Sequence, residues 1–233
     1  MSGRKVWNRL DRPDFGMSNT LSDFIATLEY SDPRLLTDLR IGPTLILTCY
    51  YSGQHKRASH ESYAFLIADL AFTWLWDEMR QETRKTVLRD SRRMSFKALN
   101  DSRRRQALVP LLRASNTIPG LLLIVLVDKK IDTLFKDDGN NTLNALSGVK
   151  NWGQPTVERF LRMAHLGNIL LAGLSAEGQN VIWLTDEDDI VANQQRIIDG
   201  TKVISHISSH YLPHTHLAIC GMAAPNPTTG LSL

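Results

Sequence analysis

Seven consecutive aliphatic residues at positions 121–127 constrain the fold more than any other feature of the sequence. The run is far too short to cross a bilayer, which takes about 20 apolar residues. An unbroken aliphatic run that ends at Asp128 and two lysines is typical of a strand covered on both faces of an α/β sheet. We therefore expect an α/β fold built around this strand.

Other segments predict the elements that surround this run. Stretches rich in β-branched, aromatic and aliphatic residues predict strands, at residues 44–51, 62–70, 93–99, 180–184, 202–210 and 216–222. Amphipathic spacing and capping residues predict helices, at residues 74–86, 102–114, 155–174 and 190–200. This order of elements is that of the ribonuclease-H-like fold. The expected fold class is therefore α/β, a ribonuclease-H-like mixed sheet with an antiparallel three-stranded start, flanked by helices.

The length of 233 residues suits one domain with a core of ordinary size. We expect a helical N-terminal appendage at residues 1–43, the ribonuclease-H-like domain at 44–224 and a disordered tail at 225–233. Cys49 and Cys220 stand in apolar surroundings without zinc-motif spacing, and we interpret both as reduced core residues. No apolar segment follows the basic start of the chain, so we expect a cytoplasmic protein without a membrane partner.

The basic charge is concentrated in one segment, residues 80–105. This segment contains ten basic and three acidic residues and so has a net charge of +7, whereas the net charge of the whole chain is +3. A concentrated basic segment is typical of surfaces that face phosphate groups. The alternative is a solvated helix surface whose arginines pair with neighbouring acids.

Acidic residues directly follow two of the predicted strands. Asp128 ends the aliphatic run, and Asp186, Glu187 and Asp188 follow the strand at 180–184. Two-metal sites hold divalent cations about 4 Å apart on bridging oxygens. We therefore expect Asp128 and Asp186 to bind Mg²⁺ or Mn²⁺, with Glu187 or Asp188 as an outer ligand. The alternative is that these acids are ordinary turn formers and helix caps.

Three short motifs resemble the DUF3800 family of ribonuclease-H-like proteins. They are Tyr50-Tyr51-Ser52-Gly53-Gln54-His55-Lys56, Ser95-Phe96-Lys97-Ala98-Leu99-Asn100-Asp101 and Val125-Leu126-Val127-Asp128-Lys129. The resemblance spans residues 44–193. It implies an Asp at the end of the first strand, a lysine-bearing third strand and a strand that ends in Asp-Lys. By the same resemblance, Lys97 is expected to contact a scissile phosphate; the alternative is an edge-strand lysine that discourages aggregation.

The sequence departs from this pattern at the first strand. Tyr50, or Tyr51 under a shift of one residue, stands where the family pattern places the Asp. A phenol, whose pKa in water is about 10, stays neutral at pH 7 and is a poor Mg²⁺ ligand. Loss of this ligand is expected to weaken two-metal binding, and the sequence leaves open whether the chain is an active hydrolase.

The leading hypothesis is a nucleic-acid-associated protein, a degenerate or weakly active metal-dependent nuclease. Five arginines are expected to position a nucleic-acid backbone by charge: Arg92, Arg93, Arg103, Arg104 and Arg105. The alternative is a non-catalytic structural or interaction protein in a larger assembly or a host-defence system, with a second copy of the chain or another protein as its partner. Its anchors would be tryptophans, namely Trp7, Trp74, Trp76 and Trp152. A third hypothesis is an active nuclease with displaced ligands.

Four histidines near the C-terminus also suggest a metal site: His206, His210, His214 and His216. Their segments are predicted to be strands and a turn, in which alternate side chains point to opposite faces. We therefore do not expect them to share one metal.

Overall fold

The computed structural model describes residues 5–12, 15–89, 94–131, 133, 149, 152–185, 190–213 and 217–223, with backbone alone at 96 and 218–223. Within these ranges the chain is an α/β structure, one mixed sheet flanked by helices. None of the described helices combines the length and apolar composition that crossing a bilayer requires.

The sheet has five strands in the order β3-β2-β1-β4-β5. The strands are β1 (Thr44–Ser52), β2 (His60–Asp69), β3 (Gly120–Asp128), β4 (Gln179–Thr185) and β5 (Leu217–Ala223). Strand β2 lies between β1 and β3 and pairs antiparallel with both. In contrast, β4 is parallel to both of its neighbours, β1 and β5. The sheet is therefore antiparallel on one side of β1 and parallel on the other.

The described residues form five α-helices, one before β1 and four between strands. They are α1 (Gly16–Ser31), α2 (Trp74–Thr86), α3 (Ser102–Ser115), α4 (Gln154–Leu174) and α5 (Gln194–Tyr211). The longest, α4, is buried along most of its length and contacts β1, β2, α1 and α5. Together with α1 and α5 it covers one face of the sheet, the helix-covered face, where the main core lies.

Residues of the N-terminal segment pack into this core. Trp7 is almost completely buried, and its ring packs against Gly173 so closely that a Cβ there would overlap it. The Trp7 indole N–H donates to Ser22 Oγ at 2.9 Å, and the backbone N–H of Asn8 donates to the Gly173 carbonyl. The N-terminal segment and α4 are thereby fixed to each other.

The prediction of a strand at residues 93–99 is wrong. The part of this segment that the structure describes contains no strand, and residues 96–98 form a single 3₁₀ turn that carries Lys97. The third antiparallel strand is instead β3, the aliphatic run, so the antiparallel start of the sheet uses a different segment from the one expected. A short alternation of apolar and polar residues fits a turn as well as a strand, and only tertiary pairing separates them.

The prediction of a strand at residues 202–210 is also wrong, because α5 continues through it to Tyr211. The buried residues of this stretch recur at helical spacing: Val203, Ile204, Ile207, Ser208 and Tyr211. β-branched residues are common in strands, but here they form the face of a helix that packs on the core.

One face of β3 is open, so the expectation of a strand covered on both faces is wrong. Its odd-numbered side chains pack on the core, whereas Leu122, Ile124 and Leu126 are exposed. Farther along the same face, a small cluster of Ile46, Ala68 and Leu184 is buried. We call this the open face of the sheet.

The helices α2 and α3 form a hairpin inserted between β2 and β3. They pack mainly against each other. The chain enters the hairpin where β2 ends and leaves it where β3 begins. Both points lie at the end of the sheet opposite to the carboxyl ends of β1, β3 and β4. The basic segment 80–105 runs through this hairpin and the link between its helices, so we call it the basic hairpin.

Candidate functional site

The carboxyl ends of β1, β3 and β4 lie at one edge of the sheet, the carboxyl edge. At this edge β1 and β4 are direct neighbours, with Cys49 paired to Thr185. The carboxyl ends of neighbouring parallel strands are where α/β sheets commonly place their ligands. The end of β1 beside the end of β4 is therefore the position to search for a site.

A buried arginine bridges two carboxylates over the start of β2, which lies between the carboxyl ends of β1 and β3. Arg162 on α4 lies 3.2 Å from Glu61 on β2 and 2.9 Å from Glu158 one helical turn earlier, and its side chain is 5% exposed. The Tyr63 hydroxyl donates to Glu61 at 2.8 Å, and the Thr133 hydroxyl donates to Glu158 at 2.7 Å. Each carboxylate is thus bound by the guanidinium and by a hydroxyl.

The pKa values of this cluster reflect its burial and its charges. Burial, supported by the hydrogen bond to Glu61, raises the pKa of Tyr63 well above its usual range. Burial on its own would lower the pKa of Arg162, but the hydrogen bond and charge of Glu158 raise it above the ordinary value. Both groups are therefore fixed in one protonation state at neutral pH, the phenol neutral and the guanidinium charged.

Tyr50 and Tyr51 lie on opposite faces of β1. Tyr50 is on the open face and 49% exposed, whereas Tyr51 is on the helix-covered face and 6% exposed. The Tyr51 ring lies 6.4 Å from that of Tyr63, and the Arg159 guanidinium lies 5.6 Å from its centre. Of the two tyrosines, Tyr51 is the one next to the Arg162 cluster.

Asp128 is far from the junction of β1 and β4. It ends β3, which is separated from β4 by two intervening strands, or about 14 Å at the usual spacing of about 4.8 Å between strands. Two cations about 4 Å apart do not span that separation. Asp128 Oδ1 instead accepts the Lys130 backbone N–H at 2.9 Å, as a turn former does. The expectation that Asp128 and the acids after β4 share one metal site therefore does not fit this strand order.

Five of the predicted site residues lie outside the described residues: Arg92, Arg93, Asp186, Glu187 and Asp188. Their predicted roles stay predictions. The last described residue of β4, Thr185, is 1% exposed, and its hydroxyl has no hydrogen-bond partner among the described residues. The acidic run thus begins immediately after a buried hydroxyl on the helix-covered face.

The described residues of this site do not fit a two-metal centre. No group of three or more His, Cys, Asp and Glu side chains within the described ranges is arranged to hold a metal ion. Glu61 and Glu158 are bridged by a guanidinium, and Tyr51, one of the two positions where the resemblance implies an Asp, carries a phenol, a poor Mg²⁺ ligand.

The described basic residues that were predicted to bind phosphate lie in the basic hairpin. Lys97 is exposed in the link of this hairpin, and Arg103, Arg104 and Arg105 lie in the first turn of α3. Asp101 caps this helix by accepting the Arg104 backbone N–H at 2.9 Å. The hairpin joins the sheet at the end of the strands opposite to Asp128, the one predicted metal ligand within the described residues.

Two further expectations are changed by the structure. His206 and His210 lie one turn apart on α5 with ring centres separated by 4.9 Å, so the strand geometry assumed for them does not hold. His214 and His216 lie outside the described residues. Of the proposed tryptophan anchors, Trp7 and Trp152 are buried, Trp76 is half-buried against Arg80, and Trp74 is exposed.

The Arg162 cluster was not predicted from the sequence. Glu158 and Arg162 have the spacing of a helical ion pair within segment 155–174, and that spacing was the available signal. It does not distinguish an exposed pair from a buried one. Glu61 joins the cluster because α4 packs against β2, and local sequence carries no sign of that contact.

Comparison with known proteins finds no match to any family model, to a curated protein or to a solved structure. The DUF3800 resemblance therefore rests on the three short motifs alone. What the chain does has to be argued from its own residues.

Proposed function

We propose that this chain is a nucleic-acid-associated protein with a ribonuclease-H-like sheet, and that it descends from a metal-dependent nuclease whose site is degenerate. The observation that carries the proposal is the junction of β1 and β4. At the end of β1, a tyrosine stands in the position of the expected acid, and over the neighbouring strand β2 an arginine bridges two carboxylates.

The strand order supports the ancestry. An antiparallel three-stranded start followed by strands parallel to β1 brings the end of β1 beside the start of the acidic run after β4. This juxtaposition is the arrangement expected of a sheet that holds divalent cations at its carboxyl edge. Asp186 and Asp188 remain the proposed remnants of the ligand set, and Asp128 is left out of it.

The charge of Arg162 supports the loss of catalysis. A guanidinium with hydrogen bonds to Glu61 and Glu158 provides the positive charge that two neighbouring carboxylates need when they are taken out of water. It cannot supply an activated water, as a bound cation does. A metal-dependent nuclease would need Mg²⁺ or Mn²⁺ for cleavage. We propose that this protein does not use these ions to hydrolyse nucleic acid.

The position of three arginines supports an anionic partner. Arg103, Arg104 and Arg105 lie in the first turn of α3, which contains no acidic residue. Cations at a helix N-terminus oppose the helix dipole and cost about 0.3–1 kcal/mol each. Three arginines in one turn concentrate positive charge at this end of the helix, which suits contact with a phosphate backbone.

Direct binding tests the proposal. Labelled DNA and RNA strands are titrated with the full chain at low salt and again at rising salt, and bound strand is measured by filter retention. We expect binding to at least one of them, weakening steeply as salt is added, because phosphate contacts release counterions. No affinity for either strand at low salt would remove the proposed function.

A cleavage assay tests the degenerate site separately. With Mg²⁺ or Mn²⁺ added, we expect no cleavage of DNA or RNA by the wild-type chain or by its Asp186→Asn variant. Tyr51→Asp tests whether the site can be restored, with Tyr50→Asp on the opposite face as its matched control. Metal-dependent cleavage by wild type that is abolished in Asp186→Asn would show an active nuclease with displaced ligands.

A second candidate function is an interaction protein that uses the sheet for docking. The exposed apolar row on β3 favours it, because such surfaces mark interaction sites. The two candidates differ in one result: an interaction protein of this kind carries no nucleic acid through purification and binds none at low salt.

A further inference from the structure

Within the described part of the chain, the outer edge of β3 lacks the features that usually protect an edge strand. Within the described residues no strand pairs with this edge. Between Gly120 and Val127 the strand has no charged residue, no proline and no bulge. Natural edge strands usually carry one of these devices to prevent pairing with another chain.

The same strand presents an apolar row on the open face. The side chains of Leu122, Ile124 and Leu126 are 62%, 59% and 66% exposed. Three consecutive outward positions of one strand are thus large, aliphatic and accessible to water. A contiguous row of this kind is uncommon on a surface that contacts water alone.

The hydrogen-bond pattern shows which backbone groups face outward. The N–H of Lys129 donates to Ser59, and the N–H of Asp69 donates to Pro119. Both pairs continue the β2–β3 register, and hydrogen-bonded and non-bonded pairs alternate along an antiparallel ladder. The odd-numbered residues of β3 therefore bond to β2. The even-numbered ones direct N–H and C=O to the outer edge.

We propose that β3 pairs with β3 of a second copy of this chain, antiparallel and with the twofold axis at Ile124. Full overlap of residues 120–128 places Ile124 opposite its own symmetry mate and Leu122 opposite Leu126 of the partner subunit. Each even-numbered residue then meets an even-numbered one, so the outward N–H and C=O groups match. Such an interface is self-complementary, as a twofold axis requires.

The side chains also suit this register. The apolar rows of the two copies continue each other across the axis, and cross-strand apolar pairs of this kind stabilise sheets. Lys129 falls opposite Pro119 of the partner subunit, so no two like charges face each other. The paired sheets would form one continuous ten-stranded sheet.

The contact area sets the expected strength. A nine-residue strand is about 30 Å long and a sheet about 10 Å thick, so each copy contributes about 300 Å² at the edge. The total of about 600 Å² is below the 1,200–2,000 Å² of stable complexes. We therefore expect a concentration-dependent dimer, not a permanent one.

Sedimentation velocity of the full chain from low to high micromolar concentration tests the dimer. We expect the wild-type chain to move from monomer to dimer over this range and Ile124→Lys to remain monomeric. Val109→Lys is the matched control, since Val109 is exposed on α3 away from this edge. A wild-type monomer throughout, or an Ile124→Lys dimer as strong as wild type, would overturn the proposal.

Disulfide trapping tests the register without relying on a disruptive variant. Facing residues in a hydrogen-bonded pair have Cα atoms about 5.5 Å apart, within disulfide range. Under mild oxidation Ile124→Cys is expected to form a covalent dimer, while wild type with its own cysteines gives the background. Leu122→Cys alone is expected to stay at background, because its symmetry mate lies about 14 Å farther along the strand. Equal trapping of the two variants would exclude this register.

Discussion

At the scale of single residues, Arg162 compensates the charge of two carboxylates near the carboxyl edge. It is buried between Glu61 and Glu158, and the two carboxylates obtain from it the charge compensation that a nuclease site obtains from cations. Buried ion pairs of this kind add little net stability, yet removing one partner is costly because an uncompensated charge is left behind. The cluster is therefore sensitive to loss of the arginine and tolerant of loss of all its charges together.

Arg162→Met is expected to lower the free energy of unfolding by about 3–5 kcal/mol at pH 7. Adding Glu61→Gln and Glu158→Gln to this variant is expected to restore most of the loss, because no buried charge remains. Urea denaturation measures each variant. Arg9→Met, which breaks an exposed ion pair with Asp23, is the control and should change little. A loss below about 1 kcal/mol in the single variant would contradict a buried, charge-dependent cluster.

His165 gives the fold a dependence on pH. Burial, with a smaller contribution from the charge of His210, lowers its pKa from 6.5 to about 4. Its Nδ1 lies 2.8 Å from the Tyr211 hydroxyl, which lies 2.9 Å from Ser18 Oγ. These contacts link α4, α5 and α1, so protonation of this imidazole acts on the packing of three helices.

The sign follows from the lowered pKa. Between about pH 6.5 and 4 the unfolded chain binds a proton at His165 that the folded chain does not, so stability is complete above 6.5 and falls with pH below it. We expect a loss of about 2 kcal/mol between pH 7 and pH 5 from this group. Urea denaturation at both pH values should show a smaller loss in His165→Gln. Parallel losses in the two proteins would show that this residue does not couple pH to stability.

At the scale of elements, a glycine in α4 allows this helix to pack closely against β4. The Trp183 ring occupies the space beside Gly167, where a Cβ would come within 2.3 Å of it. Gly167 therefore allows the close approach of helix and sheet. Its backbone freedom is not used here, and a glycine inside a helix is otherwise unfavourable. Trp183 and Phe160, both fully buried, lie in the same core on this side of the sheet.

Gly167→Ala is expected to destabilise the fold by about 1–3 kcal/mol, because the overpacking outweighs the gain in helix propensity. Gly16→Ala at the start of α1 is the matched control, since nothing lies within 4 Å of its added Cβ. Thermal unfolding followed by circular dichroism measures both. Equal or greater stability of Gly167→Ala would show that α4 does not rest on Trp183.

Element by element, sequence patterns predicted what depends on local interactions and missed what depends on pairing. The strands at 44–51, 62–70 and 180–184 and the helices at 102–114 and 155–174 are confirmed, because propensity, capping and burial act in the same direction there. The alternation of apolar and polar residues in segment 93–99 and the β-branched residues in the second half of α5 predicted strands, but both patterns are also compatible with the structures that form. Among the described strands β3 pairs only with β2 and is therefore an edge strand. Local sequence did not predict this pairing, because β2 is distant from β3 along the chain.

At the scale of the whole molecule, the basic hairpin and the Arg162 cluster are placed toward opposite ends of the strands. The hairpin joins the sheet where β2 ends and β3 begins, and the cluster lies over the start of β2, between the ends of β1 and β3. The sequence predicted the basic segment but not the Arg162 cluster, and the inserted hairpin replaces the expected third strand. We therefore propose that nucleic acid binds at the hairpin and that the remnant of a metal site lies at the carboxyl edge.

The salt dependence of binding by a neutralised hairpin tests this assignment most directly. Affinity for DNA and RNA is measured against salt for wild type, for Arg103→Gln/Arg104→Gln/Arg105→Gln and for a control that removes three exposed charges elsewhere, Lys5→Gln/Arg34→Gln/Lys202→Gln. Circular dichroism checks that each variant is folded. We predict weaker binding by the hairpin variant and a slope of log affinity against log salt that is shallower by about 2–3. The control should retain most of the affinity and slope. Equal slopes in the hairpin variant and wild type would contradict the assignment of nucleic-acid binding to the basic hairpin.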